Sequence, residues 1–201
     1  MSNFINFRNR WIYNQVKNNI SAQDTVLDFG CGTGRAGAYI KRKIGCDIIG
    51  IDVTNYFVSE IKRIIYNGAT LPFPKGKFSI SQALFVLHHI EKNQQANILK
   101  ELARVTTKRI IVIEDYFQPT FSRWWLYLIE LVCNRMYFAK VPIPYAFRTA
   151  QEWKELFESI GLIVSSEKII KSPTPFLKHI VFMLEKYTDP VTILTDKKDA
   201  S

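Results

Sequence analysis

The stretch Val26-Leu27-Asp28-Phe29-Gly30-Cys31-Gly32-Thr33-Gly34-Arg35-Ala36-Gly37 decides how the rest of the chain is read. It begins as a β-rich apolar run and ends in glycines that spell G-x-G-x-x-G at Gly32, Gly34 and Gly37. Asp52 follows Gly32 by 20 positions, the place where a dinucleotide-binding fold keeps the acid that accepts from ribose hydroxyls. Asp28 is the residue this fingerprint does not explain, because a carboxylate two positions before Gly30 would repel a pyrophosphate at the turn.

Outward from this stretch the pattern alternates. A leading amphipathic helix is expected over 7–19, with Trp11, Ile12, Val16 and Ile20 on one face. A strand at 25–29 feeds the glycine turn, a helix follows at 35–43, and a second strand at 46–51 closes on Asp52. A short helix over 54–61, a third strand at 63–66 and a fourth at 77–86 come next. Ala96, Ile98, Leu99, Leu102, Ala103 and Val105 line one face of a further helix, with Lys100, Glu101 and Arg104 opposite. A fifth strand at 110–113 ends in Glu114-Asp115. Thr149 and Glu152 have capping-box spacing, and the helix they open runs to Gly161 before two closing strands at 162–169 and 180–184. Such alternation predicts a mostly parallel sheet wrapped by helices, with ligands beyond the carboxyl ends of its strands. The glycines, Asp52, His88-His89 and Glu114-Asp115 all fall there.

Composition narrows the classes. The 201 residues, 47% hydrophobic and 22% charged, read as one globular domain over 1–188 and a frayed tail over 189–201. No apolar run is long enough to span a bilayer, and the amino terminus has no signal-peptide core. Cys31, Cys46 and Cys133 are scattered, so neither a metal site nor a disulfide framework is expected, and a reducing cytoplasm is. The net charge of +9 admits nucleic acid or an anionic membrane as partner. Its basic residues are spread along the chain instead of forming one arm, which reads as a solvated surface with no specific nucleic acid bound.

Three features separate the cofactors. Asp28 suits the cationic amino group and sulfonium of S-adenosylmethionine and not a pyrophosphate. One domain leaves little room for the separate substrate domain common in dehydrogenases. The chain also ends helix–strand–strand, without a further βαβ repeat.

With those residues in view, "VLDFGCGTG" (26–34) resembles the first motif of class I S-adenosylmethionine-dependent methyltransferases, and "IIGIDV" (48–53) resembles the second. The runs at 66–90, 98–116 and 142–164 resemble the later segments of the type 11-like group, which acts mainly on small molecules. The resemblance covers about residues 20–185. It implies a single-domain Rossmann-like α/β fold, with a mostly parallel seven-stranded sheet, an antiparallel last strand and helices on both faces. It also implies S-adenosylmethionine as cofactor, S-adenosylhomocysteine as product, and no metal. Gly30, Cys31 and Gly32 would contact the methionine portion through backbone, with Asp28 linked largely through water. Asp52 would hold the ribose, Val53 would pack on the adenine, Asn67 and Gly68 would meet its edge, and Leu84 and Phe85 would border the methionine. Asn67 stands where the family has aspartate, Ser79 replaces another, and "TTKR" (106–109) stands where many relatives turn on Pro-Gly-Gly.

For chemistry, His88, His89 and Asp115 are the candidate bases, needed only if the acceptor must lose a proton; the alternative is that a histidine simply caps the strand end. The 116–147 segment exceeds a minimal fold. Its stripe of Phe121, Trp124, Trp125, Leu128, Ile129, Val132 and Met136 has helical spacing and reads as core, as a substrate lid, or as a surface helix making peripheral membrane contact. As a lid it would place Tyr116, Trp124, Trp125 and Tyr145 on a small, partly apolar acceptor. An RNA or protein methyltransferase, a non-catalytic cofactor-binding partner and an NAD oxidoreductase remain the rivals. Against a base-flipping enzyme, the fourth strand ends in "LFVLHHI" and not in an Asn/Asp-Pro-Pro-Tyr/Phe motif.

Overall fold

A computed structural model describes residues 2–55, 59–116, 146–172 and 177–186. Helix α1 (Ser2–Val16) leads into β1 (Thr25–Phe29), α2 (Arg35–Ile44), β2 (Asp47–Asp52), β3 (Lys62–Ile65) and β4 (Phe78–Leu84). A 3-10 turn (Leu87–His89), α3 (Lys92–Val105), β5 (Thr106–Asp115), α4 (Ala150–Ser159), β6 (Leu162–Lys171) and β7 (Lys178–Lys186) complete the order. The sheet runs β3-β2-β1-β4-β5-β7-β6, seven strands. β7 is antiparallel to both β5 and β6, and the remaining pairs are parallel.

Parallel strands covered on both faces run nearly continuously apolar, and residues 110–113 of β5 show it. Ile110 and Val112 face the core beneath α3 and α4, which also holds Leu99, Leu102, Trp153 and Phe157. Ile111 and Ile113 face a second core with Ile12 and Val16 of α1 and Ile40 of α2. Left-handed glycines bound α2, Gly34 before it (φ 73°) and Gly45 after it (φ 84°). The Thr149–Glu152 capping box is formed in both directions and fixes the start of α4.

The fifth strand is longer than the expected 110–113: it takes in 106–109 as well, so α3 passes into β5 without a loop. The Thr106 hydroxyl makes this possible by donating to the Leu102 carbonyl (2.6 Å) and taking the Ser81 hydroxyl proton (2.6 Å). Ser79 ties β4 to the start of β1 by donating to Asp24 Oδ1 (2.8 Å) and accepting from the Thr25 N–H (3.0 Å). No helix is formed by Thr54, Asn55 or residues 59–61, since Asp52 Oδ1 captures both the N–H and the hydroxyl of Thr54 at 2.8 Å and holds a turn.

The expected lid, with Trp124, Trp125 and Tyr145, and the expected tail lie outside the described residues. Among the described residues, no helix is long and apolar enough to cross a membrane. No cluster among them could hold a metal ion either.

Candidate active site

The carboxyl ends of β1, β2, β4 and β5 and the start of β7 meet along one rim. The turn after β1 takes left-handed backbone at Gly30 (φ 65°) and Gly32 (φ 51°). Gly30 has a second reason to lack a side chain, for its Cβ would stand 2.1 Å from Cγ2 of Val86. At Gly32 a Cβ would meet nothing within 4 Å, so this part of the turn faces open space. The Gly30 and Cys31 N–H groups both donate to the Ile51 carbonyl (2.8 and 3.2 Å), pinning the turn to β2. The Cys31 thiol occupies the space a side chain at Gly50 would take, 2.7 Å from that Cβ position. Burial, reinforced by Asp28 and Asp52, pushes the thiol far above its ordinary range and leaves it inert.

Asp28 is 2% exposed. Its Oδ1 accepts from Gln82 Nε2 at 2.9 Å, while Oδ2 and Gln82 Oε1 are buried with no hydrogen-bond partner. Burial pushes the carboxyl up to about 6, the Gln82 hydrogen bond opposes that rise, and the charge on Asp52 adds to it. Two unpaired acceptors at the foot of a glycine turn are costly unless a donor or a cation arrives. Asp52 offers the complementary arrangement. Its Oδ2 accepts from the Gly32 N–H at 2.7 Å and its Oδ1 from Thr54, and a carboxylate has about four acceptor positions, so capacity for a hydroxyl remains. Beyond Asp52, Val53 is 56% exposed and lies 3.5 Å from the Cβ position of Gly68. Exposed Asn67 accepts from the Ala69 N–H at 3.1 Å, closing an Asx turn. Tyr66 is pushed up to about 12 by burial and by Asp52. Ammonium, ribose and adenine would meet in turn Asp28 with Gln82, Asp52, and Val53 with Gly68, so the residues present fit S-adenosylmethionine.

The far end of the rim departs from helix and strand ideals. Phe85 continues from β4 with φ 58°, a left-handed conformation rare for a bulky residue. Its ring meets His179 (4.8 Å, edge-on) and Trp11 (6.3 Å), with the Arg8 guanidinium 5.2 Å from its centroid. His179 Nδ1 stands 2.8 Å from Asp115 Oδ1, although its N–H is not aimed for a formed hydrogen bond. Burial alone would raise the Asp115 carboxyl, but His179, His88 and Arg8 outweigh it and hold it below its usual range.

His88 is placed differently. It is 2% exposed, and its Nδ1 lies 2.5 Å from Glu114 Oε2. Glu114 Oε1 also accepts from the N–H groups of Val86 and Leu87 (3.1 and 2.7 Å). The pair thereby fixes the corner that presses Val86 onto Gly30. The His88 ring stacks on Phe147 at 5.1 Å. His89 lies against it (4.1 Å), and burial, with His88 beside it, pushes His89 down to about 3 and keeps it neutral.

Of the site residues expected from sequence, Asp28, Gly30, Cys31, Gly32, Asp52, Val53, Asn67, Gly68, Leu84 and Phe85 fall on this rim, with Asp115 and Tyr116 at its β5 end. Gln82 and His179 were missed. Gln82 is a polar side chain in the buried run "SISQAL" (79–84), which is a usable signal. Nothing near His179 marked it, because β7 begins two residues earlier than its apolar run suggests.

Residues 26–109 match the family described as a methyltransferase domain. No curated protein matches the chain. Among solved structures, an S-adenosylmethionine-dependent methyltransferase of Methanosarcina mazei superposes with TM-score 0.67 at 16% identity, covering 87% of this chain and 98% of that one. The 1,6-didemethyltoxoflavin-N1-methyltransferase of Burkholderia thailandensis, solved with 1,6-didemethyltoxoflavin and S-adenosylhomocysteine, gives 0.67 at 14% identity, with coverage of 90% and 79%. The cyclase SpnF gives 0.68 at 14% identity, with coverage of 90% and 81%. At these identities the likeness is one of fold.

Proposed function

We propose that this chain is a class I S-adenosylmethionine-dependent methyltransferase that transfers its methyl group to a small, partly apolar acceptor, a reading supported by the methyltransferase-domain match over 26–109 and by the shared fold. The observation that carries the cofactor half is the buried, unpartnered Oδ2 of Asp28 beneath the glycine turn. The acceptor half is supported by the aromatic end of the rim, where Phe85 and Trp11 meet and Tyr116 follows Asp115. Trp124, Trp125 and Tyr145 would extend that wall. The small-molecule enzyme of Burkholderia thailandensis has the same fold.

When bound, S-adenosylmethionine supplies a methyl carbon activated by positive sulfur. The chain's own part is alignment and dryness. Asp28 and Gln82 would receive its ammonium end, Asp52 would hold its ribose, and Val53 would cover its adenine. The Glu114–His88 pair holds the corner that sets Val86 against Gly30, which would help keep water from the turn.

Calorimetry should show S-adenosylhomocysteine binding and NAD not binding, and tritiated S-adenosylmethionine should label a small aromatic acceptor. Trp124→Ala or Trp125→Ala should impair transfer far more than cofactor binding. A variant that melts early yet transfers normally when folded would sink the lid reading. The charge of +9 favours one second reading, an RNA methyltransferase. Salt-resistant binding to one RNA with methyl incorporated into it would establish that instead.

A further inference from the structure

Paired residues on adjacent strands point to the same face of a sheet. Asp28 pairs with Gln82, Gln82 with Ile111, and Asp115 with His179. Ile111 and Asp115 are four residues apart in β5 and share a face. Asp28, Gln82, Asp115 and His179 therefore lie on one face of the sheet, the side covered by α1 and α2, as a stepped row in which Asp115 and His179 stand about 13 Å beyond Gln82 along the strand direction. The row is continuous with the glycine turn through Val86, which touches Gly30, and Phe85, whose ring touches His179. Its Asp28 end is cofactor chemistry. Its His179 end is a buried imidazole with a carboxylate 2.8 Å from Nδ1 and the Ser172 hydroxyl 2.9 Å from Nε2. A carboxylate beside Nδ1 favours the proton on that nitrogen, which leaves Nε2 the acceptor, and misalignment of such contacts before substrate binds is ordinary.

Building on the methyltransferase reading, we propose that His179, oriented by Asp115, is the catalytic base that takes a proton from the acceptor, and that the acceptor's nucleophile, like the Ser172 group now beside Nε2, is a hydroxyl. Ser172 Oγ marks the position the acceptor oxygen takes. That oxygen gives its proton to Nε2 as it bonds the methyl carbon, and the carbon–sulfur bond breaks with its electron pair left on sulfur. The imidazolium so formed faces the Asp115 carboxylate. His88, turned to Glu114, and His89, held neutral and lacking this pair, serve the corner instead.

The chain has three histidines, so the His179 ring signal in an NMR spectrum is identified by its loss in His179→Gln. S-adenosylhomocysteine should move that signal, and S-adenosylmethionine, which adds a methyl and a positive charge, should move it to a different position. In turnover, 2-naphthol needs a base, whereas 2-naphthalenethiol is largely thiolate at pH 8 and does not. His179→Gln should lower the naphthol-to-thiol rate ratio by roughly 100-fold, the scale of one general base, and Asp115→Asn should lower it less. An unchanged ratio, or a His179 signal indifferent to the two nucleosides, overturns the assignment. Failure of S-adenosylhomocysteine to bind the wild-type protein would instead remove the methyltransferase reading beneath it.

Discussion

Replacing Asp28 with asparagine tests the site at its most strained point. The buried carboxyl is raised from 3.8 to about 6, which at 1.36 kcal/mol per unit is about 3 kcal/mol lost by the folded protein once the group is charged. The sign follows from proton uptake. Between about pH 4 and 6 the unfolded chain has released this proton and the folded chain retains it, so stability from Asp28 falls as pH rises and levels off above about 6. Asp115, Glu101 and Glu152 are held low and slope the other way, so the wild type alone cannot isolate Asp28. The difference between wild type and Asp28→Asn can. The amide is isosteric and keeps the acceptor for Gln82, so without cofactor the variant should be more stable at pH 7.5 by about 1–3 kcal/mol, or about 2–4 °C for each kcal/mol. Its advantage should disappear below pH 4. Cofactor affinity should move oppositely, falling by about 1.5–3 kcal/mol through loss of a charged partner. Wild-type affinity should also climb as pH passes about 6. Urea melts across pH 3.5–8, with calorimetry at pH 5 and 7.5, would read all of this. A variant less stable than wild type at pH 7.5, with a difference flat in pH, refutes the strained-carboxylate account.

Asp52→Ala should weaken S-adenosylhomocysteine by about 1.5–3 kcal/mol, read by calorimetry; unchanged affinity would remove Asp52 from the site. Gly30→Ala should lower the melting temperature, through left-handed strain of about 1–2 kcal/mol and displacement of Val86, and should weaken cofactor binding as well. Asp24→Ala should cost about 2–3 kcal/mol in a urea melt, because Asp24 accepts from Lys108 (2.7 Å), Ser79 and both donors of Ser21. Burial opposes charge there, but those donors hold the Asp24 carboxyl well below its usual range. Its contribution is thus present above about pH 4 and fades as pH falls further.

What the sequence made legible was whatever local chemistry encodes. β1 begins and ends where its apolar run does, and the capping box marks α4 to the residue. Asp28 and Asp52 were readable because glycines frame the first and an apolar strand delivers the second. Strand ends in solvent were harder. At the start of β5, Thr107 and Lys108 are exposed, so no apolar pattern announces a strand whose backbone alone continues the sheet. The edge strand β3 has no buried residue to set a period. The Asp115–His179 contact lay beyond reach for another reason. It joins residues far apart in sequence through an antiparallel insertion that no local spacing encodes.

That insertion also orders the protein's biosynthesis. β7 is the last of the described strands to be made, yet it sits between β5 and β6. The residues proposed to hold the cofactor all lie before residue 87, and β5, which flanks β4, follows by residue 115. The outer edge of β5, apolar through 110–113, then stays unpaired until residues 178–186 arrive. An open apolar strand edge invites pairing with other chains. Affinity for the nucleoside can thus precede the base that uses it, and early cofactor capture would steady the nascent half while that edge waits for its partner.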